Sequence, residues 1–168
     1  MSDVNNLVRR EAVNKIKELA EGADICMFTT SLTQLPLTSR PMSTRAVDEE
    51  GNIWFYSRIS SEKNAEIVAD NRVQLFYASK NSSEYLSVFG EATILKNNEK
   101  AKELWSAWAK AWFPGGVDDP ELTLIKVTPL DSYYWDTKHN QFVSLVKIAA
   151  SALTGKEMDD GVEGKLSV

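Results

Sequence analysis

Between residues 24 and 135 the chain is a succession of short runs rich in β-branched and aromatic residues, most of them closed by polar turns, with no regular alternation of strand and helix. The runs lie at 24–30, 37–47, 53–58, 72–79, 85–95, 122–128 and 132–135. Asp48-Glu49-Glu50-Gly51-Asn52 and Lys80-Asn81-Ser82-Ser83 supply turns of the kind that join antiparallel neighbours. About seven strands without βαβ units argue against a doubly wound parallel sheet and predict a mainly β fold, an antiparallel barrel with helical additions.

Four segments carry helical patterns. Residues 3–21 place Val4, Leu7, Val8, Ala12, Ile16, Leu19 and Ala20 at helical spacing, with Ser2 or Asp3 as N-cap and Gly22 as stop. Ser60 and Ser61 precede Ala65, Ile67, Val68 and Ala69, which predicts a short serine-capped helix ending near Asp70-Asn71. A third helix is capped by Asn97 or Asn98, puts Ala101, Leu104, Trp105, Trp108 and Trp112 on one face and stops at Pro114-Gly115-Gly116. By spacing alone, such a tryptophan stripe is a core feature. The fourth spans 142–153 and precedes a Gly-, Asp- and Glu-rich tail. A length of 168 residues suits one domain, here 1–154, with 155–168 a mobile C-terminal tail.

Composition removes several functional classes. At 43% hydrophobic and 26% charged residues the chain is typical of globular proteins. Its net charge of −5 repels nucleic acid, so no nucleic-acid partner is expected, although a local cation cluster can still hold a small anion. The single cysteine, Cys26, lies in the apolar run Ile25-Cys26-Met27-Phe28, which predicts a buried thiol and rules out an internal disulfide. His139 is the only histidine and has no cysteine or carboxylate at ligand spacing, so no metal site is expected. Asp118-Asp119 and Asp159-Asp160 are expected to be solvated loop charges. No leader pattern and no apolar stretch near 18 residues is present, so no membrane span and a cytoplasmic location are expected.

Residues 40–63 are the most informative chemically. A strand with Arg40 and Arg45, a second ending in Phe55-Tyr56-Ser57, and a helix opened by Ser60-Ser61-Glu62-Lys63 together make a plausible phosphate cradle. A helix N-terminus offers unpaired N–H groups and partial positive charge, serine adds a hydroxyl, and lysine or arginine adds full charge. From spacing alone, a plain serine cap with solvated Lys63, Arg40 and Arg45 stands beside that account. Lys63 in the first turn opposes the helix dipole unless an anion lies near it.

These residues also resemble a known family. Arg40-Pro41-Met42-Ser43-Thr44, Gly51-Asn52-Ile53-Trp54-Phe55-Tyr56-Ser57, Ser61-Glu62-Lys63 and Arg72-Val73-Gln74-Leu75-Phe76-Tyr77 are similar, in order and in gaps, to the flavin-binding core of pyridoxamine phosphate oxidase-like proteins. Leu104-Trp105-Ser106-Ala107-Trp108, then Ala111-Trp112-Phe113-Pro114-Gly115-Gly116-Val117-Asp118-Asp119-Pro120, and Tyr133-Tyr134-Trp135-Asp136 resemble the bacterial general stress protein branch.

The resemblance spans roughly residues 8–137 and implies a split β-barrel that binds flavin mononucleotide (FMN) in a groove between the two subunits of a homodimer. It implies that Arg40, Met42 and Ser43 line the flavin and that Tyr56 and Ser57 border its ring or ribityl chain. Ser61 and Lys63 would hold the phosphate, Gln74 would approach from the next strand, and the Trp105 to Trp112 region would wall a pocket.

Two departures are informative. Where many oxidases of the family have an arginine before the lysine, this chain has Glu62. Beyond Lys147 it offers only Lys156 and Lys165 in place of the arginine-bearing end that grips pyridoxamine phosphate, so that oxidation is not expected. The implied function is an FMN-dependent oxidoreductase with a stress-related role and an unidentified small-molecule substrate, in which the flavin does the chemistry and no side chain need be a catalytic acid or base. Two alternatives stay open: a flavin-binding or flavin-sensing module without turnover, and a barrel without FMN serving as an interaction domain, which Glu62 favours.

Overall fold

Buried side chains at every second position along Arg72–Ala78 and over most of Tyr85–Leu95 make each a strand with one face on a core. In a computed structural model, residues 3–79, 83–137 and 161–168 are described. The strands are β1 (Asp3–Val4), β2 (Leu7–Val8), β3 (Ile25–Thr30), β4 (Thr38–Ser43), β5 (Ala46–Val47), β6 (Ile53–Arg58), β7 (Arg72–Ala78), β8 (Tyr85–Leu95), β9 (Leu122–Thr137) and β10 (Gly161–Ser167). The helices are α1 (Arg10–Ala23), α2 (Glu62–Ala69) and α3 (Asn98–Glu103).

The sheet runs β4-β3-β7-β8-β9, all antiparallel, and the first half of β9 then pairs with β6. The run expected as one strand over 37–47 is two. β4 pairs with β3 and β5 pairs with β6, so this segment passes from one edge of the sheet to the other and closes the barrel. Thr44, buried between them, donates its N–H to the Asp24 carbonyl at 2.7 Å and shares a hydrogen bond with the Tyr77 hydroxyl at 2.8 Å.

β6 separates two apolar clusters. Ile53 and Phe55 face the main core, where Phe28 and Phe55 meet edge to face at 5.3 Å and α1 adds Ile16 and Leu19. Trp54 and Tyr56 face a smaller cluster with Leu104, Phe113 and Leu124. Cys26 sits in the main core at 1% exposure, and burial pushes its thiol up to about 12. No helix among the described residues is long and apolar enough to cross a membrane.

Four expectations need correction. The first helix starts at Arg10 rather than near residue 3, runs through Gly22 and stops at Asp24, whose φ is +62°. Asp3–Val4 and Leu7–Val8 instead lie parallel to β10, and Asn5 N–H and Arg9 N–H donate to Glu163 and Ser167 carbonyls at 2.7 Å. That non-local ladder overrides a helical pattern that is only local. For the same reason part of the segment expected as a mobile tail is a strand: Gly161–Leu166 pairs with β9 from Thr137 to Ser132, and Leu166 is buried.

The tryptophan helix is broken. α3, capped by the Asn97 side chain on Lys100 N–H, ends at Glu103, and after extended Ser106 a 3₁₀ turn covers Ala107–Ala111. Small or inward groups, Ala101, Leu104, Ala109 and Phe113, are buried, whereas Trp108 and Trp112 are 84% and 67% exposed. The two last strands are one, β9, which passes Pro129 opposite Gly90 at a bulge. The helix expected at 142–153, His139 and residues 155–160 lie outside the described residues.

A Cβ on Gly90 would lie 2.4 Å from the Thr128 carbonyl oxygen. Gly90→Ala is therefore expected to lower the unfolding free energy by about 2 kcal/mol, as overpacked sites do. Chemical denaturation measures this, and an unchanged midpoint would contradict the close approach of β9 to β8.

Candidate functional site

Because side chains alternate across a strand, the end of β6 sends Ser57 one way and Tyr56 and Arg58 the other. Around it, β4, Arg45 in the link between β4 and β5, the start of α2, and the 3₁₀ turn with the two residues after it enclose a pocket of about 420 Å³.

The polar end is built on Ser57, Ser61 and Lys63. Buried Ser57 donates to Asn64 Oδ1 at 2.7 Å, and its Oγ is 3.2 Å from Ser61 Oγ. Asn64 Nδ2 donates to Thr123 Oγ1 at 3.2 Å, and Thr123 donates to the Ser57 carbonyl at 3.0 Å. This closed network satisfies groups that would be costly to bury alone and fixes the start of α2 against β6 and β9. Ser61 is the N-cap residue of α2, yet no side-chain capping bond is made, so its hydroxyl is not committed to the helix. Lys63, half-buried, has its pKa held below the ordinary value, chiefly by burial and then by the Arg40 charge, with Glu66 opposing in part. A lysine in that condition gains from a nearby anion.

The aromatic end is built on Tyr56, Phe113, Trp108 and Trp112. Tyr56 lies 5.9 Å from the Trp105 ring and 6.0 Å from the Phe113 ring, and its hydroxyl donates to the Ala101 carbonyl at 3.1 Å. Burial raises its pKa, with the Arg45 charge acting against that. The Arg45 guanidinium lies 5.7 Å over the Tyr56 ring, and its Nε is buried without a hydrogen-bond partner. Arg58 lies 5.9 Å over Phe113 and donates to the Trp112 carbonyl at 2.8 Å. Among the described residues, the lining thus holds the cations Arg45, Arg58 and Lys63 and no carboxylate. Its chemistry suits a flat, anionic ligand.

Of the residues expected at the site, Met42, Ser43, Tyr56, Ser57, Ser61 and Lys63 line this pocket. Arg40 does not: its guanidinium is ion-paired with Glu66 at 2.7 Å and donates to Thr30 Oγ1 at 2.6 Å. Burial raises the Glu66 pKa, but hydrogen bonds from Thr30 and Arg40 outweigh it and hold the carboxyl below its ordinary range. Gln74 is outside the lining too, donating to Ser87 Oγ at 2.9 Å across the β7–β8 pair. Glu62 is exposed and outside the lining. Arg58 was not anticipated, although its spacing from Tyr56 on one strand face was a usable signal.

Comparison with known proteins agrees with this architecture. A structure of a candidate general stress protein 26 from Jannaschia sp. CCS1 superposes with a TM-score of 0.80 at 23% identity, covering 95% of this chain and 99% of that one. The general stress FMN/FAD binding protein from Xanthomonas citri superposes with a TM-score of 0.64 at 22% identity, covering 74% of this chain and 88% of that one. Protein bli-3 of Neurospora crassa is 22% identical over 156 residues, or 87% of this chain and 75% of its own length. A sequence-family profile described as pyridoxamine 5'-phosphate oxidase like matches residues 11–159. The profile spans most of the chain, which therefore belongs to the pyridoxamine 5'-phosphate oxidase-like family.

Proposed function

We propose that the pocket binds FMN and that the protein is a homodimeric flavoprotein oxidoreductase. The observation that carries this reading is the convergence of Met42, Ser43, Tyr56, Ser57, Ser61 and Lys63, from three separate elements, on one pocket with cations and no lining carboxylate among the described residues. The donor set fits the cofactor. Ser61, Lys63 and the start of α2 would take the phosphate; Met42 and Tyr56 would border the ring; and Arg45 Nε, buried and unpartnered, lacks the acceptor that a flavin carbonyl or phosphate oxygen supplies. The bound flavin would supply electron and hydride transfer, while the chain's own groups position it and limit water.

Arg40 supports this arrangement indirectly. By pairing with Glu66 it keeps that carboxylate from competing with phosphate for Lys63. Glu62 is exposed and outside the lining, which fits a pocket that takes a phosphate. The flavin-binding relative from Xanthomonas citri supports the cofactor, and the stress-protein relatives support a stress-related role.

A second copy accounts for the outer face of the sheet. Met27 lies across from Phe76 and Tyr85 from Trp135, all of them exposed. Through Met27↔Pro41 and Ile25↔Ser43 this apolar face runs into the pocket wall. A stable dimer buries about 1,200–2,000 Å² in total, and a contiguous apolar face of this kind is rare on monomers.

Lys63→Met is expected to weaken FMN by about 2 kcal/mol while leaving riboflavin, which lacks the phosphate, within a few tenths. Fluorescence titration measures both, and equal losses would place the phosphate elsewhere. The Lys63 pKa is lowered from 10.5, so a phosphate bound to protonated Lys63 loses affinity as pH rises through that lowered value. The same titration should show this decline for FMN, not for riboflavin, and not in Lys63→Met.

Phe76→Glu is expected to shift the protein toward monomer and to weaken FMN together with it. Sedimentation velocity with and without FMN tests this; a variant that stays dimeric would move the interface to another face.

A further inference from the structure

A second cleft, of about 490 Å³, lies between the turn after β3 and the C-terminal end of α2 and shares no residue with the first pocket. Its two carboxylates already have guanidinium partners. Glu66 Oε2 accepts from Arg40 Nη2 at 2.7 Å and from the Thr30 hydroxyl. The Asp70 oxygens accept from Arg72 Nε at 2.8 Å and from Arg72 Nη2 at 2.7 Å. A cationic ligand would have to displace an arginine, and an anionic one would face both carboxylates. The cleft therefore suits a ligand without net charge.

What the lining leaves open is neutral and polar. Among the described residues, the side chains of Ser31, Thr33, Gln34 and Asn71 make no hydrogen bond, and Glu66 Oε1 is unengaged. An amide offers one acceptor and two donors in a plane, and a carboxylate oxygen is a strong acceptor for a hydroxyl. Such a set matches adjacent hydroxyl groups, each of which both donates and accepts. Exposed Val68 and Ala69 add aliphatic surface for the C–H groups between them.

The backbone fixes these groups in advance. Gln34 N–H donates to the Ser31 carbonyl at 2.9 Å, and Ser31 has φ +53°, a left-handed conformation uncommon for serine. The Asn71 carbonyl accepts from Ala92 N–H at 2.7 Å, which ties the link between α2 and β7 to β8. Strained backbone of this kind gathers at ligand clamps, and groups set before binding lose little freedom on binding. The volume is that of a small-molecule site.

We propose that this cleft binds a neutral polyhydroxylated ligand of monosaccharide size through Ser31, Thr33, Gln34, Asn71 and Glu66. The site stands whether or not the other pocket holds flavin.

Sugars stabilise folded proteins by exclusion from their surface, so a thermal shift does not report binding here. The test is ligand-observed saturation-transfer NMR on the full chain with D-glucose, D-galactose, D-mannose and open-chain sorbitol, and with spermidine and citrate as charged probes. At least one polyol should bind saturably, and excess FMN should leave that signal in place. Gln34→Ala and Asn71→Ala should each weaken it about threefold or more, as the loss of a hydrogen bond does. Both side chains are exposed, so both variants should fold. Preference for a pyranose names a sugar ring, and equal or tighter binding of sorbitol names an open-chain polyol; both uphold the site. Absence of saturable binding by every polyol, binding unchanged in the Gln34→Ala/Asn71→Ala double variant, displacement of the polyol by FMN, or tighter binding of spermidine or citrate that the double variant loses would overturn it.

Discussion

Ile53–Arg58 pairs with Leu122–Val127 along its whole length, and the rest of the pocket depends on that ladder. It holds β6 between two apolar clusters, so that Ile53 and Phe55 are locked in one and Trp54 and Tyr56 in the other. With four consecutive side chains committed, the strand cannot slip, because a shift of one residue would exchange every inside group for an outside one. The last two residues are then delivered without freedom: Ser57 into the network with Asn64 and Thr123, and Arg58 onto Phe113. A site used for recognition gains from being carried on such an element, since its geometry is set before any ligand arrives.

The electrostatics follow from the same placement. Arg45, Arg58 and Lys63 line one small pocket, and burial, followed by the charge of Arg40 from outside the lining, holds the Lys63 pKa low. Nothing acidic among the described lining residues relieves this. The nearest compensation is outside, where Glu66 is engaged by Arg40 and Thr30. A lining with three cations and no carboxylate among the described residues favours an anion although the chain as a whole carries −5. Local arrangement, not net charge, decides what binds.

Much of this was legible in the sequence where local pattern and tertiary role agree. Arg72–Ala78 alternates by one and is a half-buried strand; Ser61 precedes an apolar helical pattern and stands at the N-cap of α2; and the order of the Met42, Tyr56 and Lys63 segments foreshadowed their meeting. It failed where a distant partner decides. Val4 and Leu7 fit a helix by spacing but lie beside β10, more than 150 residues away in sequence. Trp108 and Trp112 fit a buried stripe, yet the helix breaks at Ser106 and small Ala109 takes the inside position. Arg40 looked like a phosphate ligand because its strand is right; that Glu66 would reach it from α2 is a contact between elements that no spacing along one of them reveals.

In the function proposed above, the start of α2, with Ser61 and Lys63, is the phosphate end of a flavin site. Diffraction from crystals of the protein grown with FMN tests it most directly. Phosphate density is expected within hydrogen-bond reach of Lys63 Nζ and Ser61 Oγ, with the ring beside Met42 and Tyr56. Flavin density with its phosphate at Arg58, or a pocket free of flavin at saturating FMN, would contradict it.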